Sequence, residues 1–263
     1  MSSPEANRVD DIILETKNLT KEFKGFTAVN GVNLRIQRGR IHALIGPNGA
    51  GKTTCFNLLT KFLVPTSGQI IYNGRSITGA SPAQIAKQGI TRSFQISAVF
   101  LGLTALENVR ISLQRELGTG LCFWKSAASL SRLNERAHSY LAEVGLADFA
   151  DTRAGGLVYG QKRALEIATT LAAKPELLLL DEPTAGLASE ELGPITNLIK
   201  KVSKDRTTVI VEHNMQLVAN ICDTVTVLQR GSIIAEGSYA EVAADPLVME
   251  AYLGSDDDFA GTA

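Results

Sequence analysis

The first third of the chain contains short stretches in which apolar and polar residues alternate. Residues 32, 34 and 36 are apolar and their neighbours are polar, and this period of two predicts a strand with one solvent-facing side. Residues 12–14 and 69–72 predict two further short strands, and Asn73-Gly74 marks a turn after the second. This part of the chain is therefore expected to consist mainly of strands.

Beyond residue 40 the pattern changes to apolar runs separated by helical patterns. The runs that are typical of buried parallel strands cover residues 41–45, 177–180, 207–211 and 225–228. From Leu192 to Val202 apolar residues recur every three or four positions, which predicts an amphipathic helix, and Pro194 predicts that this helix begins there rather than at Glu190. The alternation predicts an α/β fold with a mainly parallel sheet.

The middle of the chain differs from both neighbours, because residues 95–160 contain no convincing strand. Leu133, Ala137 and Leu141 lie on one helical face, so we expect a helical subdomain inserted at about residues 96–164. Residues 1–254 are interpreted as a single domain. Residues 255–263 include three consecutive aspartates and small residues, which predicts a flexible acidic tail.

Composition excludes several classes of protein. Apolar residues make up 44% of the 263 residues and charged residues 20%, so the chain can bury a full core. The net charge of −1 argues against a general nucleic-acid binder. Cys55, Cys122 and Cys222 show no CxxC spacing, so they are interpreted as small core residues rather than as zinc or disulfide partners. No segment has the apolar length of a signal peptide or a membrane span, which predicts a soluble, intracellular protein.

The strongest motif follows the apolar run at 41–45. It matches the phosphate-binding pattern GxxxxGK[ST] and consists of Gly46, Pro47, Asn48, Gly49, Ala50, Gly51, Lys52, Thr53 and Thr54. Glycines let successive backbone N–H groups turn inward at a helix N-terminus and bind an anion. We expect Lys52 to reach the β- and γ-phosphates and the Thr53 hydroxyl to ligate Mg²⁺. A strand before this motif and a helix after it disfavour the alternative of a tight turn with a chance lysine.

Two carboxylates follow the apolar run at 177–180. Asp181 and Glu182 lie where the ligands of parallel sheets bind, and Pro183 ends the strand. Alone, this sequence would indicate only a strand end. Together with the phosphate-binding motif it favours Asp181 in the Mg²⁺ shell and Glu182 as the general base that polarises the attacking water. These two motifs predict a P-loop nucleoside triphosphatase.

Three further features resemble ATP-binding cassette (ABC) proteins. Leu157-Val158-Tyr159-Gly160-Gln161 is similar to the LSGGQ signature of that family. Gln95 resembles its Q-loop glutamine, and His213, after the run at 207–211, resembles its switch histidine. Phe23 stands where the family places an aromatic residue against adenine, with Phe26 as a rival. A lone glutamine or histidine carries little weight, but the order and spacing fit the family from about residue 12 to residue 254.

The resemblance implies a P-loop NTPase core with a mainly parallel sheet, an N-terminal antiparallel β subdomain and an inserted helical subdomain. It implies ATP and Mg²⁺ as cofactors, with Thr53, Gln95 and Asp181 around the metal and with Glu182, His213 and Gln95 in catalysis. The residues that it implies for nucleotide binding, besides the phosphate-binding motif, are Phe23, Val158, Tyr159, Gly160 and Gln161. It also implies head-to-tail dimerisation, membrane-spanning permease subunits as partners, no nucleic acid, and a peripheral location at the cytoplasmic face of the cell membrane.

Within the family the chain resembles the ATPases of branched-chain amino-acid importers. The segments that carry this resemblance are residues 91–95, 104–109, 212–215 and 250–254, together with Asn48 and Tyr159. Relatives that import urea or other amides, or that export lipopolysaccharide, share several of these traits. Two wider alternatives are a non-transport ABC ATPase, which usually carries two cassettes or a long coiled-coil insertion, and a small-molecule kinase, which Glu182 and His213 disfavour.

The chain departs from the family pattern at two positions. Val158 replaces the signature serine, and Ala188 replaces the Asp or Asn of the loop that follows Asp181-Glu182. The family uses both positions to contact the second protomer's nucleotide site, so one composite site is expected to be weakened. A heterodimer with a different ABC ATPase subunit is therefore favoured over a homodimer.

Overall fold

The computed structural model describes residues 11–93, 99–114 and 127–253. Its strands are β1 (Ile12–Phe23), β2 (Phe26–Val32), β3 (Arg35–Gln37), β4 (Ile41–Ile45), β5 (Ser67–Tyr72), β6 (Arg75–Ser76), β7 (Ile90–Ser93), β8 (Leu177–Asp181), β9 (Thr207–Val211), β10 (Thr224–Gln229) and β11 (Ser232–Gly237). Its α-helices are α1 (Lys52–Leu59), α2 (Pro82–Lys87), α3 (Ala105–Gln114), α4 (Ala127–Glu143), α5 (Tyr159–Leu171), α6 (Ser189–Val202), α7 (Met215–Ile221), α8 (Tyr239–Ala243) and α9 (Pro246–Leu253). Short 3₁₀ helices cover Ala147–Phe149 and Ala154–Gly156. The predicted acidic tail and Cys122 lie outside the described residues.

The chain divides into two compact units, Met1–Gln88 with Asp205–Ala263, and Gly89–Lys204. The first unit contains an antiparallel sheet in the order β2-β1-β5-β6, with β3 also paired to β1. The predicted strand at residues 32–37 is split between β2 and β3, although the alternation of buried and exposed side chains continues through it. Thr16 of β1 bridges the split, because its hydroxyl donates to the Val32 carbonyl (2.9 Å) and accepts from the Leu34 N–H (2.8 Å).

The first unit also contains strands β11, β10, β4 and β9 as neighbours in that order. Strand β4 is parallel to both β10 and β9, and only β11 runs antiparallel. All five residues of β4, including His42, are buried, as the mainly apolar run predicts for a parallel strand. Helices α8 and α9 complete the core beside it, where Val242, Val248 and Tyr252 belong to one buried cluster with Ile45.

The second unit combines a parallel strand pair with helices. Strands β7 and β8 pair in parallel with Arg92 opposite Leu179, and α3, α4 and α5 pack on one another. Leu133, Ala137 and Leu141 of α4 are buried, which confirms their predicted common face. The α/β class, the parallel strands and the N-terminal antiparallel sheet are thereby confirmed. In the part of the chain that the structure describes, no helix has the length and apolarity to cross a membrane.

The predicted start of the helix at Pro194 is wrong, because α6 begins at Ser189 and contains Pro194. Ala188 is the N-cap residue, and the carboxylate of Glu191 accepts from its N–H at 3.2 Å. Glu190 and Glu191 also place negative charge in the first turn, where the helix dipole favours it. These interactions start the helix before the proline, which then removes a single backbone donor near the N-terminal end.

Candidate functional site

The phosphate loop, residues 46–54, connects β4 to α1 as the sequence predicts. Gly46 and Gly51 have φ angles of 149° and 98°. A Cβ atom at Gly46 would lie 2.1 Å from the Leu228 carbonyl oxygen, and one at Gly51 would lie 2.3 Å from that of Ala28. No other amino acid fits these two positions without moving the backbone, so the close packing around the loop explains both glycines.

Lys52 is the first residue of α1 and is buried. Its ammonium group donates to the carbonyls of Gly46 (2.6 Å) and Pro47 (3.0 Å), so the side chain folds back over the loop that precedes it. Thr53, the next residue, is exposed at the helix N-terminus. A cation held above backbone N–H groups at a helix start is an arrangement that binds phosphate.

Phe23 and Phe26 end and begin the paired strands β1 and β2 and lie opposite each other across the turn. Their exposed fractions are 42% and 65%, so neither ring belongs to the core of the sheet. The Lys21 ammonium lies 5.0 Å from the centre of the Phe23 ring. Both rings are available for stacking on a base, and their exposure leaves the choice between them open.

His213 is an exposed residue between β9 and α7. Its backbone N–H donates to the buried carboxylate of Glu212 at 2.9 Å, and the same oxygen accepts from the Asn214 N–H at 3.1 Å. Asn214 caps α7 by accepting from the Leu217 N–H at 3.0 Å. The buried Glu212 and this cap fix the turn, which leaves the His213 ring at the surface rather than in the core.

In the second unit, Asp181 ends β8 and is buried. Its carboxylate forms an ion pair with the guanidinium of Arg92, whose side chain is 9% exposed. Glu182 follows in the left-handed region with φ of 45°, a conformation that is unusual for a residue with a side chain. The two carboxylates are thus adjacent in sequence but have different environments.

Arg163 of α5 holds the acidic loop, which we define as residues 181–183. Its guanidinium donates to the carbonyls of Asp181 (3.1 Å), Glu182 (2.6 Å) and Pro183 (2.9 Å). It also forms an ion pair with Glu166 at 2.6 Å. Both charged side chains are buried, so the loop conformation depends on a compensated charge inside the second unit.

The signature segment, residues 157–161, forms the start of α5. The helix begins at Tyr159, because Val158 has extended geometry and acts as N-cap. The Gln161 side chain accepts from the Val158 N–H at 3.1 Å, whereas the Val158 side chain cannot accept a hydrogen bond. Val158 and Tyr159 are 62% and 50% exposed.

Two hydrogen bonds connect the signature segment to the residues after the acidic loop. The Tyr159 hydroxyl donates to the Ala185 carbonyl at 3.0 Å. The Gly160 N–H donates to the Glu191 carboxylate at 2.9 Å, and a Cβ at Gly160 would lie 2.7 Å from that oxygen. Glu191 therefore compensates for the missing side-chain acceptor at Val158.

The donor set proposed for Mg²⁺ consists of hard oxygen atoms, the hydroxyl of Thr53 and the carboxylate of Asp181. Among the described residues, no cluster of three or more His, Cys, Asp or Glu forms a protein cage for a metal. Mg²⁺ in nucleotide sites is held by one or two protein oxygens together with phosphates and water, so the chemistry of each of these two donors is suited to the ion. Gln95, the third predicted ligand, lies outside the described residues.

Sequence reasoning missed Arg92, Arg163 and Glu191. The residues next to Arg92 and Arg163 in the sequence give no sign that these side chains are buried. Arg92 pairs with Asp181, 89 residues away, and Arg163 contacts the acidic loop, about 20 residues away. Glu191 carried a weak signal, since it occupies the third helical position after Ala188, where a carboxylate often accepts from the N-cap N–H. Its second partner, Gly160, is a long-range contact.

The phosphate loop after a parallel strand and the acidic end of β8 define a P-loop nucleoside triphosphatase. Residues 29–185 match the family model described as ABC transporter, and residues 232–258 match that of the branched-chain amino acid ATP-binding cassette transporter. The chain therefore belongs to the ABC transporter family.

Similar proteins and structures support this assignment. The chain is 41% identical over 249 residues to the high-affinity branched-chain amino acid transport ATP-binding protein BraF of Pseudomonas aeruginosa, which covers 92% of this chain and 98% of BraF. Identity to LivG of Escherichia coli is 39% with the same coverage. A crystal structure of an ABC transporter cassette in its ADP conformation has a TM-score of 0.82 at 33% identity, covering 93% of this chain and 99% of the other. The resemblance to the branched-chain amino-acid ATP-binding proteins is confirmed.

Proposed function

We propose that the chain is the ATP-binding and ATP-hydrolysing subunit of an importer for branched-chain amino acids. The observation that carries this proposal is its similarity to BraF and LivG along 92% of its length. The separate match at residues 232–258 supports it, because that segment forms β11, α8 and α9 rather than the phosphate loop. The similarity thus includes a part of the chain that general ATPase chemistry does not require.

The assigned chemistry is hydrolysis of the γ-phosphate of ATP. Lys52 neutralises charge on the β- and γ-phosphates, and Glu182 accepts a proton from the attacking water. His213 contacts the γ-phosphate, and Gln95 assists in the same step, as their resemblance to the switch histidine and the Q-loop implies. Phe23 stacks on the adenine.

Thr53, Asp181 and Gln95 are the residues that would hold Mg²⁺. The ion, when bound, supplies charge neutralisation for the phosphates. Arg92 supports the choice of Asp181, because the ion pair with its guanidinium compensates a carboxylate in a buried position at the end of β8.

The proposed partners are membrane-spanning permease subunits and a second ABC ATPase subunit, at the cytoplasmic face of the membrane. A heterodimer is favoured, because Val158 and Ala188 lack the polar side chains that the family uses at the dimer interface. In a heterodimer this chain's phosphate loop, Asp181, Glu182 and His213 would act with the partner's signature, which leaves one fully competent site.

Lys52→Ala and Glu182→Gln test the ATPase assignment, because the two changes should separate binding from hydrolysis. Lys52→Ala removes the cation at the phosphates and should weaken ATP binding at least tenfold, about the value of one charge-assisted hydrogen bond. Glu182→Gln should bind ATP as the wild type does and form a stable closed dimer, while turnover falls by roughly two orders of magnitude or more. ATP affinity and phosphate release are measured on the same preparations.

Lys200→Ala is a suitable control, since this lysine lies in the last turn of α6 and not in the phosphate loop. It should leave both quantities unchanged. Wild-type turnover by Glu182→Gln would require a different base and would remove Glu182 from the mechanism.

A further inference from the structure

The guanidinium of Arg163 contacts every residue of the acidic loop. It donates to the backbone carbonyls of Asp181, Glu182 and Pro183 at distances between 2.6 and 3.1 Å. The side chain is 8% exposed, and its charge is balanced by Glu166 one helical turn along. A buried cation with several geometrically defined hydrogen bonds fixes the positions of its acceptors more firmly than neutral contacts do.

The loop held in this way contains backbone strain. Glu182 has φ of 45°, in the left-handed region that costs a residue with a side chain free energy. Such a conformation persists only where surrounding contacts hold it. The hydrogen bond from Arg163 to the Glu182 carbonyl is one of the contacts that do so, and it is the shortest of the three to the loop.

Arg163 also connects the loop to the signature segment, because it lies in the second turn of α5, whose first residue is Tyr159. The Tyr159 hydroxyl reaches Ala185, and the Gly160 N–H reaches Glu191, so the beginning of α5 is tied to the same stretch of chain. A displacement of α5 would therefore move the carbonyls of the acidic loop.

We propose that Arg163 is a positioning residue for ATP hydrolysis, which holds Glu182 in its active conformation and links the signature helix to that carboxylate within one chain. This inference rests on the proposed ATPase function and adds a residue outside the proposed nucleotide and Mg²⁺ ligands, whose contacts are with the acidic loop and Glu166. Binding of a phosphate at the signature segment would then change the position of Glu182, the general base of the same chain.

The geometry sets the expected effect of substitution. A lysine at 163 keeps the positive charge but replaces a planar fork of five N–H donors by one ammonium group on a flexible chain. It cannot reach three carbonyls and Glu166 with the same geometry. Arg163→Lys should lower turnover by roughly tenfold to hundredfold, which corresponds to one charge-assisted hydrogen bond, and should leave ATP affinity within about twofold of wild type.

The experiment compares turnover, ATP affinity and melting temperature for wild type, Arg163→Lys, Arg163→Ala and a matched control, Arg110→Lys. Arg110 lies in the same unit and pairs with Glu107, three residues before it (3.7 Å), as Arg163 pairs with Glu166, three residues after it. Its guanidinium also donates to Asn134 (3.3 Å), and neither of these partners lies in the acidic loop. The control should keep wild-type turnover. Millimolar guanidinium should restore part of the turnover of Arg163→Ala, and ammonium should not.

The results separate the inference from the function on which it rests. Hydrolysis by wild type and its loss in Glu182→Gln establish the ATPase, and the Arg163 variants then test positioning alone. Wild-type turnover by Arg163→Lys would overturn the inference. So would a parallel fall of turnover, ATP affinity and melting temperature, which would assign Arg163 to fold maintenance. If Arg163→Ala does not fold, Arg163→Lys decides. A wild-type protein without ATPase activity would overturn both proposals.

Discussion

At the scale of single residues, Arg92 and Asp181 form the buried ion pair closest in sequence to the proposed general base. Their side chains are 9% and 1% exposed. Removing one partner of a buried pair leaves an uncompensated charge, which costs about 3–5 kcal/mol. Arg92→Ala should therefore lower the free energy of unfolding by about that amount in a urea titration.

An exposed pair provides the comparison. Arg40 and Asp223 are 3.1 Å apart with side chains 51% and 38% exposed, and Arg40→Ala should cost about 0–1 kcal/mol. Equal losses in the two variants would contradict the assignment of the Arg92 effect to burial of charge.

His42 is another buried polar residue that the sequence did not indicate, since it lies within the otherwise apolar strand β4. Its Nε2 atom is 2.7 Å from the Thr226 hydroxyl, which donates its proton to the Glu236 carboxylate at 2.6 Å. Because the hydroxyl has one proton, Nε2 of His42 must be the donor to Thr226. In its neutral form the ring therefore carries its proton on Nε2.

Burial lowers the pKa of His42 from 6.5 to about 4. Below pH 6.5 the unfolded chain binds a proton that the native chain does not, so this contribution to stability is present above pH 6.5 and is lost as the pH falls towards 4. The difference corresponds to about 3 kcal/mol. His42→Gln keeps a donor for Thr226 but does not titrate, so its free energy of unfolding should fall less steeply with acidification. Identical slopes for both proteins would contradict this account.

At the scale of elements, the features that could be predicted from the sequence are the strands and helix faces that follow from the local spacing of apolar residues. Strand β4, strand β8 and the buried face of α4 follow from continuous or periodic apolar residues. The division of residues 32–37 into β2 and β3 was not predictable, because both parts keep the same alternation and the contacts at the break come from Thr16, far away in sequence. A side chain on a different strand thus forms hydrogen bonds to both sides of the break.

The starts of α5 and α6 show the same limit. Both N-cap residues, Val158 and Ala188, lack a side-chain acceptor, so neither start carries the usual local signal, and α6 begins before Pro194, where it was expected. Glu191 explains part of this, since its two oxygens accept from Ala188 and from Gly160. The contact with Ala188 can be predicted from the local capping pattern, but the contact with Gly160 can be seen only in the folded structure.

The residues of the candidate site likewise fall into those that the sequence identified and those that only the structure revealed. The phosphate loop is contiguous, and its glycines have a steric reason that the motif already implies. Asp181 and Glu182 were identified because they follow a buried strand. The contacts of Arg92 and Arg163 come from distant parts of the chain, so their roles could be recognised only from the structure.

At the scale of the whole molecule, the proposed dimer makes Val158 a test of asymmetry. A serine hydroxyl at this position would donate a hydrogen bond to a γ-phosphate, and the isopropyl group of Val158 cannot. The N-terminal dipole of α5 remains, so in the proposed dimer the site built on this signature segment would be weakened rather than lost. One hydrogen bond to a charged group is worth about 1.5–3 kcal/mol, or roughly tenfold to hundredfold in stability of the closed state.

We therefore expect the purified transporter complex to occlude two nucleotides per ATPase dimer and to hydrolyse one of them quickly. Val158→Ser should accelerate the slow site, because it restores the missing donor at the γ-phosphate. Val158→Ala is the matched control, since it shortens the side chain without adding a donor, and it should leave the slow site slow. Occluded nucleotide and released phosphate are counted per dimer in each preparation. Two equally fast sites in the wild type, or the same gain from alanine as from serine, would rule out the asymmetric dimer.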